Sequence, residues 1–333
     1  MHRFCLRAQQ SFSLGDYLKF ELKNFASISM SADSIPMIDF SPFMAEEDEA
    51  AQQTVAQALY QACHRIGFLY LENHGIPTTL VNSMFAEAQH FFDLPLETKC
   101  QVARSNATNC GYVGWQAERL NPQRPGDLKE AFNVGQKTIW PPGQPAFRQS
   151  ALALYQYCTT FVTPALLRAF AIALNLPERF FNDKHGDNTF LRLLHYPPLA
   201  KTIQPHQIRA GEHTDYGSFT LLFQQQQGGL EVRTRAGEWM AAPNVPGTVL
   251  MNVGDAMQRW TNDQLRSTPH RVVNPTGEQA LRSRYSAALF CDPNLAVEIA
   301  CLESCHSPDN PPRYPPILAG DYLQSRFKAT YGD

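Results

Sequence analysis

A chain of 333 residues, 44% hydrophobic and 18% charged, holds enough apolar material for a large core, and its 11% aromatic content excludes a disordered chain. A net charge of −3, from 28 Lys+Arg against 31 Asp+Glu, argues against a basic footprint for nucleic acid. The longest stretch without a charge, residues 149–167, contains Gln149, Gln156, Thr159, Thr160, Thr163 and Pro164; it is too polar to span a bilayer, so no membrane association is expected.

The N-terminal stretch carries Arg3 and Arg7 and no apolar run of the signal-peptide kind. Residues 1–29 are expected to be a loosely held extension with Met30 as an alternative start, and residues 1–33 a poorly structured lead-in to one domain over 34–333. The eight cysteines form no CxxC pair, which fits free thiols and a cytoplasmic location; Cys301 and Cys305 are expected in a surface loop. Residues 35–40 (IPMIDF) read as a short strand. Over 46–66, Val55, Leu59, Ala62 and Ile66 fall on one face of a 3.6-residue period, and Gly67 stops the predicted helix. Residues 68–71 read as a strand and 74–77 as a turn. Leu80, Met84, Ala88 and Phe91 mark a second helix. A third helical region, 150–174, is expected to be disturbed at Pro164. Short β-rich runs then follow at 190–196, 211–215, 219–224, 230–234, 239–242, 248–253, 267–274, 284–291 and 295–301, separated by Gly and Pro pairs. That spacing predicts a sandwich, jelly roll or small barrel, with a last helix at 319–330. Within the domain we expect a helical and strand region over 34–110, a β core with inserted helices over about 111–305, and a C-terminal helix over 306–333.

His213, Asp215 and His270 carry the chemistry. On a strand, His213 and Asp215 share a face, and a sheet folded back on itself brings His270 to the same pocket. Two neutral imidazoles and a carboxylate form the facial triad that suits Fe(II) and leaves coordination positions open. Arg284 and Ser286 again share a strand face. A guanidinium fork holds a carboxylate bidentately, and the serine hydroxyl adds a further donor. Tyr196 is a further phenolic donor.

With these residues go IPMIDF (35–40), GFLYLENHGIP (67–77), FFDLPLETK (91–99), DLKEAFNVG (127–135), LRLLHYPP (191–198), GEHTDYGSFTLL (211–222), GGLEVR (228–233), GTVLMNVGDAMQRWTND (247–263), STPHRV (267–272), RYSAALFCDPN (284–294) and PPRYPPILAGDYLQSRF (311–327). In this order they resemble the isopenicillin N synthase-like family of Fe(II)- and 2-oxoglutarate-dependent dioxygenases. The resemblance implies a mainly β fold with flanking helices around a cupin-like double-stranded β-helix (jelly-roll) core. It implies Fe(II), 2-oxoglutarate as co-substrate, O2 and stimulation by ascorbate. It implies oxidation, foremost hydroxylation, of a small-molecule substrate with release of succinate and CO2. It assigns His213, Asp215 and His270 to iron and Arg284, Ser286 and Tyr196 to the distal carboxylate of 2-oxoglutarate. Tyr112, Phe132, Leu222, Trp260 and Phe290 lie in segments that face the barrel mouth in this family and are the expected substrate pocket. Residues 111–126, with Arg119 and Arg124, are expected as a solvated loop, and His74 and His195 as structural histidines. Plant members often have Asn two residues before the tyrosine; here Leu194 stands there. Two readings stay open beside the main one: an oxidase of the isopenicillin N synthase type that uses no 2-oxoglutarate, and a non-catalytic sensor of iron and a keto acid.

Overall fold

The computed structural model describes residues 34–45, 48–121, 124–199 and 203–331; the expected N-terminal extension lies outside the described residues. In chain order the described strands are β1 (Met37–Asp39), β2 (Phe68–Glu72), β3 (Gly111–Val113), β4 (Glu130–Val134), β5 (His185–Tyr196), β6 (Ala210–His213), β7 (Phe219–Gln224), β8 (Leu230–Arg233), β9 (Trp239–Ala241), β10 (Val249–Val253), β11 (His270–Val272), β12 (Arg284–Pro293), β13 (Glu298–Ile299) and β14 (Ile317–Leu318). An eight-stranded sheet runs β1-β2-β10-β7-β12-β5-β4-β3, and a four-stranded sheet runs β6-β11-β8-β9. Neither sheet closes on itself, and every pairing in them is antiparallel except β1 with β2. This is the jelly-roll core with flanking helices that the sequence predicts.

The two-residue period of a strand sorts side chains into two layers. On β12, Tyr285, Ala287, Leu289 and Cys291 enter an apolar cluster shared with the helices. Ala288 and Phe290 point the other way, toward Leu194 and Tyr196 of β5 and toward Leu230, Val232 and Val272 of the smaller sheet. The large sheet therefore packs helices on one face and the small sheet on the other. The candidate site occupies the space between the sheets.

The helices follow the predicted periods with shifted ends. The first long helix is Glu49–Arg65. Asp48 caps it by accepting from the Ala51 N–H at 2.9 Å, and Val55, Leu59 and Ala62 are buried. Gly67 ends it at φ +74°, where a Cβ would lie 2.1 Å from the Arg266 carbonyl oxygen. The second helix is Thr78–Phe92. In the third region the disturbance falls ahead of Pro164: Pro145–Tyr157 and Thr163–Ala173 are joined by a π-helical turn, Cys158–Val162. Proline has no N–H to give and crowds the carbonyl four residues back, so the preceding turn widens. No described helix is long and apolar enough to cross a membrane.

Some expectations about the elements need correction, among them the C-terminal helix over 306–333, which is Ala319–Tyr331 and follows the strand Ile317–Leu318. Residues 111–126 are not all loop, because Gly111–Val113 pairs with Glu130–Val134, and β4 was not predicted as a strand. The run expected over 295–301 shortens to the two residues of β13. Cys305 is buried rather than on a surface loop, although Cys301 is half-buried; all described cysteines are free thiols.

One buried histidine ties the fold to the site. His185 donates from Nδ1 to the Phe181 carbonyl at 2.6 Å, and its Nε2 accepts from the Ser218 hydroxyl at 2.7 Å, anchoring the turn that follows Asp215. Burial pushes its pKa from an ordinary 6.5 down to about 4. Between these values the unfolded chain takes up a proton that the folded chain refuses, so stability falls as pH drops through that window. The loss amounts to about 3 kcal/mol in all. Thermal melts between pH 7 and 4 are expected to show this slope, and His185→Gln is expected to flatten it; an unchanged slope would assign the loss to other groups.

Candidate metal centre

Strands β6 and β11 are antiparallel neighbours, and their register sets His270 directly opposite His213. The two rings lie 4.2 Å apart between centroids. Each imidazole commits Nδ1–H to a backbone carbonyl, His213 to Gly211 at 2.8 Å and His270 to Thr268 at 3.1 Å. In that tautomer both Nε2 lone pairs are left free.

Asp215 does not share the strand with His213 as predicted, because β6 ends at His213 and the chain turns. The turn is fixed instead: the Asp215 carbonyl accepts from the Asp255 N–H at 2.8 Å. Oδ2 of Asp215 accepts from the Thr220 hydroxyl at 2.6 Å and from Asn252 Nδ2 at 2.7 Å. Oδ1 then points toward His270, 3.8 Å from its Nε2. The donor atoms of His213, Asp215 and His270 all lie within 4.8 Å of one another. The donor set suits a ferrous ion, with each ligand's remaining polar atom already occupied. Thr220 and Asn252 are opposite one another across β7 and β10. Sequence reading did not single them out, and their only signal is an inward position on a buried strand.

Electrostatics agrees with this chemistry. Burial, then the facing His270, hold the His213 pKa well below its ordinary value, so its imidazole is neutral. Burial pushes the Asp215 carboxyl up, but His270, His213, Asn252 and Thr220 together outweigh it and keep the group ionised.

Deeper in the same cavity, Arg284 on β12 pairs in register with Tyr196 on β5. Arg284 is 1% exposed. Its N–H groups go to the Gln227 carbonyl at 3.2 Å, the Ser286 hydroxyl at 3.2 Å and Gln224 Oε1 at 2.9 Å, and its Cζ lies 4.8 Å from the centre of the Tyr196 ring. All these partners are neutral, and among the described residues Arg284 forms no ion pair. Burial accordingly lowers its pKa. A buried guanidinium without a counter-charge is unfavourable, and a carboxylate brought in by a ligand would relieve it. Arg209, also 1% exposed, flanks Tyr196 at 5.9 Å, with no hydrogen-bond partner on Nε. Burial, then Arg284, push its pKa down to about 10. Nothing in the local sequence marks Arg209, because its closeness to Arg284 arises only when the sheets face each other.

The space between the sheets at this site, open solvent included, measures about 990 Å³. Of the residues expected to line it, Leu222 and Phe290 do so, and Tyr112, Phe132 and Trp260 do not. Phe132 is registered with Leu193 on the helix-facing side, and Tyr112 lies opposite it. Phe132 packs on Phe91 at 4.9 Å, and the Tyr112 hydroxyl donates to Glu130 at 2.5 Å. Trp260 sits 5.3 Å from Phe181 in the same helix-side core. The adjacent residues of β5, Arg192 and Leu194, face the cavity instead, and Lys129, just ahead of β4, and Arg192 close it with Glu118: Arg192 to Glu118 is 2.6 Å and Lys129 to Glu118 is 3.2 Å. Phe327 and Thr330 of the Ala319–Tyr331 helix complete the wall. Arg119 is exposed and Arg124 half-buried. His195 bonds Glu130 at 2.8 Å, and His74 accepts from the Ile76 N–H at 3.1 Å, both away from the triad.

Residues 35–153 match the family described as non-haem dioxygenase in morphine synthesis N-terminal, and residues 188–293 match the 2OG-Fe(II) oxygenase superfamily. Among curated relatives, the proline hydroxylase buaE of Petromyces alliaceus is 35% identical over 89% of this chain and 99% of that protein. The 2-oxoglutarate-Fe(II) type oxidoreductase hxnY of Emericella nidulans is 31% identical over 91% of this chain and 92% of its own length. Among solved structures, a full-length Neurospora crassa protein in complex with alpha-KG and thymine superposes with a TM-score of 0.80 at 33% identity, covering 91% of this chain and 98% of that one. With two matching families in order, relatives aligned almost end to end and a shared architecture, the chain belongs to the 2OG-Fe(II) oxygenase superfamily and is a non-haem, Fe(II)- and 2-oxoglutarate-dependent oxygenase.

Proposed function

We propose that this oxygenase hydroxylates a small-molecule substrate, with His213, Asp215 and His270 as its iron ligands and Arg284, Ser286 and Tyr196 holding the far carboxylate of 2-oxoglutarate. One observation carries the reading: a cavity with three convergent donors at one position and an uncompensated buried guanidinium at another. The relatives support the substrate scale, since one is a proline hydroxylase and another was crystallised with thymine. Free thiols on all described cysteines support a reducing, cytoplasmic setting.

Bound Fe(II) and 2-oxoglutarate supply the reduction of O2 coupled to decarboxylation, giving succinate, CO2 and a hydroxylated substrate. The chain's own part is placement. Gly211 and Thr268 hold the imidazoles in the tautomer that presents Nε2. Thr220 and Asn252 fix one oxygen of Asp215 so that the other faces the metal position, and its charge offsets part of a dication. Arg284 sets the depth to which the keto acid enters, and its charge is neutralised when the carboxylate arrives. Leu222, Phe290 and Phe190 wall the space above and exclude water.

His213→Ala and Asp215→Ala are each expected to abolish Fe(II) binding and succinate formation while leaving the melting curve of the metal-free protein cooperative; Fe(II) binding retained by either would remove the metal assignment. Asn252→Leu is expected to weaken Fe(II) binding by roughly 10–100-fold, read by metal titration under anaerobic conditions. Arg284→Ala is expected to raise the 2-oxoglutarate concentration needed for half-saturation by about 10–100-fold with Fe(II) affinity kept. An unchanged 2-oxoglutarate dependence would detach Arg284 from the keto acid.

A further inference from the structure

Strand β12 runs the length of the cavity, and every second residue lines it: Arg284, Ser286, Ala288, Phe290 and Asp292. Arg284 and Ser286 belong to the co-substrate end. Asp292 stands at the other end of the row, 3% exposed. Its carboxylate makes no hydrogen bond and no ion pair among the described residues, and it is part of the cavity wall. The other buried carboxylates of that wall are partnered, Glu118 by Arg192 and Lys129 and Asp215 by Thr220 and Asn252. A buried carboxylate with no partner is unfavourable unless something else supplies the donor. Burial, then the charge of Asp215, push the Asp292 carboxyl up to about 8, so in the empty cavity it is protonated near neutral pH and ionises when a cation is brought beside it.

The position is also built for this group. Asp292 Oδ1 rests on Gly217, where a Cβ would come within 1.9 Å of it, so a side chain at Gly217 would displace the carboxylate. The Ser218 N–H donates to the Cys291 carbonyl at 2.9 Å and pins this end of β12 against the turn. Beside it, Phe190 and Phe290 stack at 5.0 Å with 22° between their planes, and both line the cavity as a flat apolar wall.

Charge narrows what fits. The formal charges of Fe(II), Asp215, 2-oxoglutarate and Arg284 cancel, and Lys129 and Arg192 balance Glu118 and Asp127. Arg209, buried beside Tyr196, adds a positive charge at the co-substrate end, and Asp292 is the acidic group without a local counter-charge among the described residues of the wall. We propose that Asp292 is the substrate-recognition residue, and that the substrate is a compact amine whose ammonium N–H donates to this carboxylate while its apolar body lies against Phe190 and Phe290. An ether or carbonyl oxygen in place of the nitrogen could only accept from the protonated carboxyl and would bring no positive charge to ionise it, and a second carboxylate would be repelled once Asp292 is ionised. The assignment rests on the hydroxylase reading above and adds the substrate class to it.

The test loads the full chain anaerobically with Fe(II) and 2-oxoglutarate and titrates it by calorimetry with ring-matched pairs: piperidine against tetrahydropyran, and tetrahydroisoquinoline against isochroman. Each amine is expected to bind at least about tenfold more tightly than its oxygen partner. Asp292→Leu is expected to erase the difference. Asp292→Asn keeps the shape, covers the case in which leucine is not tolerated, and is expected to erase it as well. Equal binding within the pairs, no binding by either amine, or an amine preference that survives in Asp292→Asn overturns the assignment. A 2-oxoglutarate titration of the same preparation comes first: no binding there defeats the hydroxylase reading, whereas normal binding with unseparated pairs defeats only the role of Asp292.

Discussion

Polar groups buried between two sheets need a partner for every donor and acceptor, because the surrounding dielectric makes an unmet one unfavourable. Around the triad this requirement is met on one side of each residue and left open on the other. Gly211 and Thr268 take the outer nitrogens of the two histidines, and Thr220 and Asn252 take the outer oxygen of Asp215. What stays open is two lone pairs and one carboxylate oxygen facing a common point. The same rule governs Arg284, whose neighbours satisfy its hydrogen bonds and leave its charge unmatched. The binding positions are thus defined by what the protein withholds.

The strand register makes such selectivity possible. His213 and His270 are brought together by one pair of adjacent strands, and Thr220 and Asn252 by another. A slip of one residue in either pairing would turn its inward members to the opposite face. Asp215 is the exception, since it lies past the end of β6 and depends on the backbone bond from Asp255 and on the His185–Ser218 contact for its place.

Much of this was legible in the residues. The His-x-Asp pair, the later histidine and the Arg-x-Ser pair each carry a recognisable donor pattern, and Val55, Leu59 and Ala62 announce a helix face that is indeed buried. The substrate wall was less legible because a large aromatic residue reads alike on either face of a strand. Phe132 and Phe290 differ only in which way their strands present them, and that depends on pairings with β5 that no local pattern fixes. Arg209 was invisible for a related reason, since its neighbour in space is far from it in sequence. Short strands such as β3 and β4 lacked the alternation that marks longer ones, because both of their faces are buried.

Two parts of the cavity wall are made from different material. One part is strand against strand, where any change of spacing propagates through paired neighbours. Another part of the wall is Glu118 and Leu120 from a connecting segment and Phe327 and Thr330 from the terminal helix. Exchange of residues in those two pieces would reshape that part of the wall while leaving the paired strands that carry His213 and His270 in register. A single scaffold of this kind lends itself to diversification of what is oxidised with no redesign of how.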